Sequence, residues 1–191
     1  KKTNKKLDIA FQIFGLNGAE NVLKAKKLKV LTIDLMKESP ADRRNVIRDL
    51  LKKSGGKIHS LPKNVFLKKY QGNRTQGIVV NFTGNVVRSL PDLKNTHPSF
   101  CLIAADNLED PQNMGQIIRT SECAGIDGIL LPEHHSVQAT NTVIQVSQGA
   151  FVHLPLYQCG NLRQQLINLK KQGFWIVGVE NSIKAKIWYK Q

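Results

Sequence analysis

Cysteine is scarce in this 191-residue chain: Cys101, Cys123 and Cys159 are far apart and odd in number. Without a Cys-x-x-Cys pair or a Cys/His cluster, neither a zinc site nor a disulfide framework is indicated, and a reduced, cytoplasmic setting fits best. No apolar run reaches the length that spans a bilayer, so no membrane partner is expected. The basic start Lys1-Lys2-Thr3-Asn4-Lys5-Lys6 lacks the apolar core of a signal peptide. An initiator Met is also missing, which suggests a processed or partial product. Internal repeats are absent. Neither Gly-x-x-x-x-Gly-Lys nor Gly-x-Gly-x-x-Gly occurs, which counts against a general nucleotide-binding domain with a basic arm. Acidic residues are few: 14 Asp and Glu stand against 28 Lys and Arg, a net charge of +14.

What is present suits a folded protein, with 41% apolar residues and enough length for one or two domains. The charge is divided unevenly. Residues 1–97 hold 21 basic and 7 acidic residues, and residues 98–191 hold 7 of each. The whole excess therefore sits in the first half, as expected of a polyanion-binding module joined to an electrically balanced one. Nucleic acid is the usual polyanion.

Residues 11–82 mix helical and strand patterns. The spacing predicts a helix over 15–26 with Ala19, Val22 and Leu23 inward, and a strand over 29–35. A helix follows from Ser39-Pro40 to Gly55-Gly56, with Val46, Ile47, Leu50 and Leu51 as its buried stripe. A short helix over 62–70 and a strand over 77–82 complete this part. Residues 83–99, with Gly84, Pro91 and Pro98, read as a linker that holds at most a small ordered piece. From Phe100 the alternation is regular. Strands are predicted over 100–105, 128–131, 151–156 and 174–179. Helices are predicted over 113–124 and 140–147, and a third is capped by Asn161 and ended by Gly173. Such alternation with short loops argues for a parallel sheet covered by helices, with ligands beyond the carboxyl ends of the strands. The division is 1–82, 83–99 and 100–191.

The segment Asp110-Pro111-Gln112-Asn113-Met114-Gly115-Gln116-Ile117-Ile118-Arg119 carries the most chemistry. At helical spacing Met114, Ile117, Ile118, Ser121 and Ala124 make the packed face, while Gly115, Arg119 and Glu122 share another. Gly115 then leaves open space one turn before the arginine, and Asn113 stands at the helix entrance, where its amide caps the helix or orients a ligand. The plainer alternative has Gly115 serving helix packing and Arg119 pairing with Glu122.

The run from Asp106 to Gly125, with its Asn-x-Gly-x-x-x-Arg core, resembles the first signature of the SpoU (TrmH-like) family of RNA 2'-O-methyltransferases. Ser147-Gln148-Gly149-Ala150, followed by His153-Leu154-Pro155, resembles the family's Ser-x-Gly-Ala stretch. The run from Ile13 to Leu23 and the segment Gln76-Gly77-Ile78-Val79 resemble the start and end of the RNA-substrate domain in the subgroup that methylates guanosine ribose in large-subunit ribosomal RNA. Thr75 stands where that subgroup often has His. The resemblance implies a small α/β RNA-binding domain followed by a parallel-sheet α/β methyltransferase domain of the trefoil-knot (SPOUT) type. It implies S-adenosylmethionine as cofactor, a ribose 2'-hydroxyl as acceptor, structured RNA (ribosomal RNA favoured) as partner, and a homodimer.

The same resemblance makes Asn113 and Arg119 the catalytic positions. Arg119 is proposed in the family as base or orienter, and orientation or phosphate binding suits a guanidinium that stays protonated. Two further signatures, a Gly-Ser-Glu-Gly-like loop and a Ser-Leu-Asn-Val-like segment, would follow Gln191. The knot and most of the cofactor pocket are therefore expected to be missing, leaving Gly178 and Val179 as cofactor contacts. Lys52, Lys53, Lys57, Lys63, Lys68, Lys69 and Arg74 form the expected RNA footprint. His134-His135 is read as a loop rather than a metal pair, Trp175 as core, and Trp188 as part of a terminal segment. The readings that compete with an RNA ribose methyltransferase acting on ribosomal RNA are a transfer-RNA enzyme and a truncated, non-catalytic RNA-binding protein.

Overall fold

A computed structural model describes residues 10–93, 99–134 and 136–179. The first sheet is assembled from β1 (Ala10–Phe14), β2 (Lys29–Met36), β3 (Lys57–Leu61) and β4 (Ile78–Thr83) in the order β1-β4-β2-β3. Strand β4 is antiparallel to both β1 and β2, and β2 and β3 are parallel. Ile78, Val79, Val80 and Phe82 are apolar at successive positions because β4 is covered on both faces, and all four are fully buried. Four helices surround this sheet: α1 (Leu16–Lys24), α2 (Pro40–Arg43), α3 (Asn45–Lys53) and α4 (Lys63–Lys69).

The single helix expected after Ser39 is two. Ser39 caps α2 by accepting from the Asp42 amide at 3.1 Å, but Arg44 is extended (φ −83, ψ 112) and restarts the helix as α3. Its guanidinium reaches Glu20 on α1 at 2.9 Å. Within α3, Ile47 and Leu51 are buried and Val46, expected in the stripe, is 45% exposed. Strands β1 and β3 were not legible as strands. β3 is an edge with little buried apolar surface, so the alternation that marks a strand is weak.

The second sheet contains β5 (Val87–Ser89), β6 (Leu102–Ala104), β7 (Gly128–Pro132) and β8 (Leu156–Cys159) in the order β5-β8-β7-β6, every pair parallel. The small ordered piece within 83–99 is thus an edge strand of this sheet. Its helices are α5 (Pro111–Cys123), α6 (Asn141–Val146) and α7 (Leu162–Lys171). Thr140 and Asn161 cap α6 and α7 through their side chains.

Two strand expectations are corrected. The stretch 151–156 begins as a 3-10 turn (Ala150–Val152), and β8 starts only at Leu156. Phe151 is apolar because it stacks on Phe82 of the first sheet, with centroids 5.9 Å apart, not because it lies in a strand. The stretch 174–179 forms no strand. Phe174 packs edge-on against Phe100 at 6.3 Å, but Trp175, expected in the core, is 93% exposed, because no described strand or helix covers it. Trp188 lies outside the described residues.

The core does not stop between the sheets. Phe11, Ile13 and Phe82 belong to the same buried cluster as Ile118, Ile129, Val143 and Phe151. The polar groups at this seam are matched as well. β1 is an edge strand whose outward backbone groups would otherwise be unpaired. The Gln12 amide donates to Asn141 Oδ1 at 2.9 Å, and the Phe14 amide donates to Gln145 Oε1 at 2.9 Å. Gln145 Nε2 donates back to the Phe14 carbonyl at 3.1 Å. Positions four apart on a helix are ~6 Å apart along its axis, and alternate strand residues ~6.6 Å, so α6 can serve the edge like a partner strand.

Candidate active site

The first signature segment starts at the carboxyl ends of the parallel strands. After β6 the chain passes through Asp106 and Asn107, where Asn107 takes a left-handed conformation (φ 51), and enters α5 at Asp110. Asp110 is the cap: its Oδ1 accepts from the Gln112 amide at 2.8 Å, and Pro111 opens the first turn. Asn113 is therefore not the helix cap. It is an exposed residue within the first turn, and its side chain makes no hydrogen bond to a described residue.

Gly115 is where α5 meets α6. A Cβ there would lie 2.5 Å from Val146 Cβ and 3.2 Å from the Ser147 backbone nitrogen. The open space expected beside Gly115 is absent, since α6 fills it. Met114, Ile118 and Ser121 are buried as expected, Ile117 is half-buried, and Ala124 is exposed at the helix end. Arg119 is exposed and forms no ion pair among the described residues, with Glu122 or any other. Asn113 and Arg119 are separated by ~9 Å along the axis and ~120° around it, so the helix does not aim them at one point.

A cleft of about 820 Å³ opens at the ends of β6, β7 and β8, where ligands bind in open α/β sheets. Asp106, Asn107 and Asn161 supply polar groups there, and Leu162, Leu166 and Ile176 supply apolar ones. His134 also lines it; His135 lies outside the described residues. Gly178 and Val179 lie outside this lining, and Val179 is 96% exposed. Arg119 stands ~12 Å along α5 from the cleft-side start of the helix, so it is not brought to the cleft within one chain.

The remaining resemblance segments meet at the seam. Ser147 is buried and its Oγ donates to the Ile144 carbonyl at 2.8 Å. Gly149 takes φ 93, and a Cβ there would lie 2.8 Å from Asn21. Asn21 Oδ1 also bonds His153 Nε2 at 3.0 Å. Gln76 Oε1 accepts from the Leu16 amide at 2.9 Å, directly after the Gly15 turn. Gly149 and His153 thus meet Asn21 across the seam between the two sheets, while the Ser147 and Gln76 bonds stay within their own units. Gln145 and Asn141, which complete the seam, carry no sequence signal beyond being amides four apart.

The expected RNA footprint is spread over α3, β3, α4 and the loop that follows, where the Arg74 carbonyl lies 4.0 Å from where a Cβ of Gly15 would be. Lys52 and Lys53 end α3, Lys57 begins β3, Lys63, Lys68 and Lys69 lie on α4, and Arg74 follows; all are exposed. Two are engaged. Lys52 faces Asp49 at 3.6 Å, and Lys69 donates to Asp34 at 2.5 Å. Asp34 is buried and also accepts from Tyr70 Oη at 2.6 Å and bonds His59 Nδ1 at 2.8 Å. Burial pushes its carboxyl up, but the hydrogen bonds from Lys69, Tyr70 and His59 outweigh that and hold it below the usual carboxylate range. Burial, and then the Asp34 carboxylate, push the Tyr70 hydroxyl well above its ordinary value.

Comparison with solved structures shows a shared fold. The chain overlays the AdoMet-bound rRNA methyltransferase from Sinorhizobium meliloti with TM-score 0.62 at 22% identity, over 85% of this chain and 58% of that one. It overlays the SpoU methyltransferase AviRb from Streptomyces viridochromogenes with TM-score 0.65 at 15% identity, over 86% of this chain and 59% of that one. Residues 101–191 match the SpoU rRNA Methylase family. The 23S rRNA (guanosine-2'-O-)-methyltransferase RlmB of Shewanella oneidensis is 30% identical over 188 residues, which cover 96% of this chain and 75% of that protein. YacO of Bacillus subtilis, whose name assigns it provisionally to the TrmH family of tRNA/rRNA methyltransferases, is 30% identical over 90% of this chain and 70% of its own length. The chain belongs to the SpoU (TrmH) family. It spans 58% and 59% of the two solved structures named above.

Proposed function

We propose that this chain is the RNA-binding part and a portion of the catalytic part of an S-adenosylmethionine-dependent RNA methyltransferase that modifies a ribose 2'-hydroxyl, with ribosomal RNA as substrate. The observation that carries this reading is the 30% identity to a 23S rRNA (guanosine-2'-O-)-methyltransferase across 96% of the chain. The cleft at the strand ends, entered by the first signature at Asp106 and Asn107, supports it.

The residues present fit one side of the cofactor. Asp106, Asn107 and Asn161 offer hydrogen-bonding groups suited to a ribose and its substituents, and Leu162, Leu166 and Ile176 offer an apolar wall for a base. Gly178 and Val179 follow directly on Ile176, and we keep them as proposed cofactor contacts. When bound, the cofactor supplies a sulfonium methyl group for attack by the hydroxyl oxygen. The chain's own contribution is placement, which alone can supply several kcal/mol of the barrier. Arg119, whose guanidinium offers hydrogen-bond donors and no acceptor, orients the hydroxyl or its neighbouring phosphate rather than removing a proton. Asn113 orients through its amide from the first turn of α5. The distance between Arg119 and the cleft favours a homodimer with paired catalytic units, in which a second α5 is available to close it.

Arg119→Ala in the complete protein tests the reading. Methyl transfer from S-adenosylmethionine to ribosomal RNA should fall at least ~100-fold, as for loss of one charge-stabilising donor. Stability should change by no more than ~0.5 kcal/mol, because Arg119 is exposed and makes no ion pair among the described residues. Unimpaired turnover would sink the assignment.

A further inference from the structure

A second cleft, of about 350 Å³, lies between the two sheets. It is lined from three separate segments. Lys24, Lys26 and Lys27 come from the end of α1 and the turn after it, Val86 and Arg88 from the start of β5, and Phe151, His153 and Pro155 from the approach to β8. No carboxylate lines it. Lys24 is tied to Glu20 at 2.7 Å, but Lys26 and Lys27 are exposed and form no ion pair among the described residues. Arg88 is held over the Tyr157 ring, 5.2 Å from its centroid, and His153 is held by Asn21. Arg88 and His153 are thus held in place, while Lys26 and Lys27 are free to meet a ligand. Leu28, Val86, Val152 and Pro155, all half-buried, give the lining an apolar part.

A basic rim with a partly apolar lining matches one chemistry: a single-stranded polyanion whose bases can leave their stack. Paired RNA presents phosphates but keeps its bases inside, whereas unpaired RNA can offer a base face to an apolar or aromatic surface. The position adds to this. Of the lysines expected as the RNA footprint, Lys57 lies on β3 and Lys52 and Lys53 just before it, at the far edge of the first sheet from β1, three strands or ~14 Å away, while Lys69 on α4 reaches Asp34 on β2. β1 is the edge that meets the methyltransferase unit. RNA held only at β3 would lie on the wrong side of the sheet, while the seam cleft belongs to both units.

We propose that this cleft binds a single-stranded segment of the RNA substrate, with phosphates on Lys26, Lys27 and Arg88 and one unstacked base over Val86 and Pro155. The proposal rests on the reading that the chain acts on RNA, and it adds where the strand crosses from one unit to the other.

The test is fluorescence anisotropy of the full chain with a labelled single-stranded RNA oligonucleotide carrying one 2-aminopurine, compared with an RNA duplex of the same length across a salt series. Lys26→Ala with Lys27→Ala should lower the slope of log affinity against log salt by about 1.4, at ~0.7 per phosphate contact on a single strand, which is ~25-fold weaker binding at 0.1 M salt. Lys52→Ala with Lys53→Ala serves as the distal comparison and should leave the 2-aminopurine signal unchanged. Both lysine pairs are exposed, so thermal melts should match the parent. Parental affinity and slope in the Lys26/Lys27 variant would overturn the proposal, as would equal preference for duplex RNA. Loss of methyl transfer in Arg119→Ala is read separately. If that variant stayed active while the Lys26/Lys27 dependence held, the catalytic reading would fail and the cleft would stand.

Discussion

Gln145→Ala removes the side chain that completes the open edge of β1. Two bonds are lost, Phe14 N–H to Oε1 at 2.9 Å and Nε2 to the Phe14 carbonyl at 3.1 Å. Both backbone groups are part-buried, and the seam around them is apolar: Ile13 is fully buried on β1, as are Val143 and Ile144 on α6. A net hydrogen bond contributes ~1 kcal/mol, so the pair sums to about 2 kcal/mol. If the space left by the side chain stays dry, each stranded group raises the cost toward ~3 kcal/mol. For a chain of this size ~2 kcal/mol corresponds to a fall of about 4–8 °C in Tm. The loss should be local. Hydrogen exchange followed by NMR should show the Phe14 amide losing protection while the Gln12 amide, held by Asn141, keeps most of its own. An unchanged Tm together with an unchanged exchange rate at Phe14 would refute the idea that α6 serves as the partner of this edge. Equal loss at both amides would mean that the two units separate as bodies.

Two further perturbations probe other parts of the same architecture. Gly115→Ala should destabilise by about 2 kcal/mol in urea titration, even though alanine gains ~1 kcal/mol in helix propensity, because its Cβ would lie 2.5 Å from that of Val146. A gain in stability would show that α5 and α6 do not approach so closely. Asp34 governs a pH window: its folded pKa is depressed, so its contribution is present above the unfolded value of 3.8 and lost as pH falls through the folded one. Asp34→Asn should cost ~3 kcal/mol at neutral pH, by leaving Lys69, Tyr70 and His59 without their charged acceptor. It should also flatten the acid limb of a stability-versus-pH curve, and an unchanged limb would assign that limb to other carboxylates.

How much was legible depends on whether a signal is local. The helices announced by caps, α2 after Ser39 and α7 after Asn161, were read correctly at their starts, because a side-chain cap acts within three residues. The break at Arg44 was not legible; its guanidinium pairs with Glu20, 24 residues away, a contact that spacing along the chain does not encode. Phe151 was misread for the same reason: its apolar character answers to Phe82 in the other sheet. In the signature segment, Asp110 rather than Asn113 caps the helix, and Gly115 makes room for α6 rather than for a ligand. Both outcomes depend on where α5 packs, which spacing does not encode.

The alternation of elements, the charge division and the family signature are legible in the chain alone, because periodicity, net charge and motif spacing are all properties of neighbours along it. Only the tertiary structure decided what those residues do together. It brought Gln148-Gly149 against the Gly15 turn and Asn21, at one seam between two sheets. It put the Lys26-Lys27 turn beside Arg88 across a shared cleft, and it left Arg119 at a distance from the strand-end cleft. Each of these depends on contacts between residues tens of positions apart, set by the packing of whole elements.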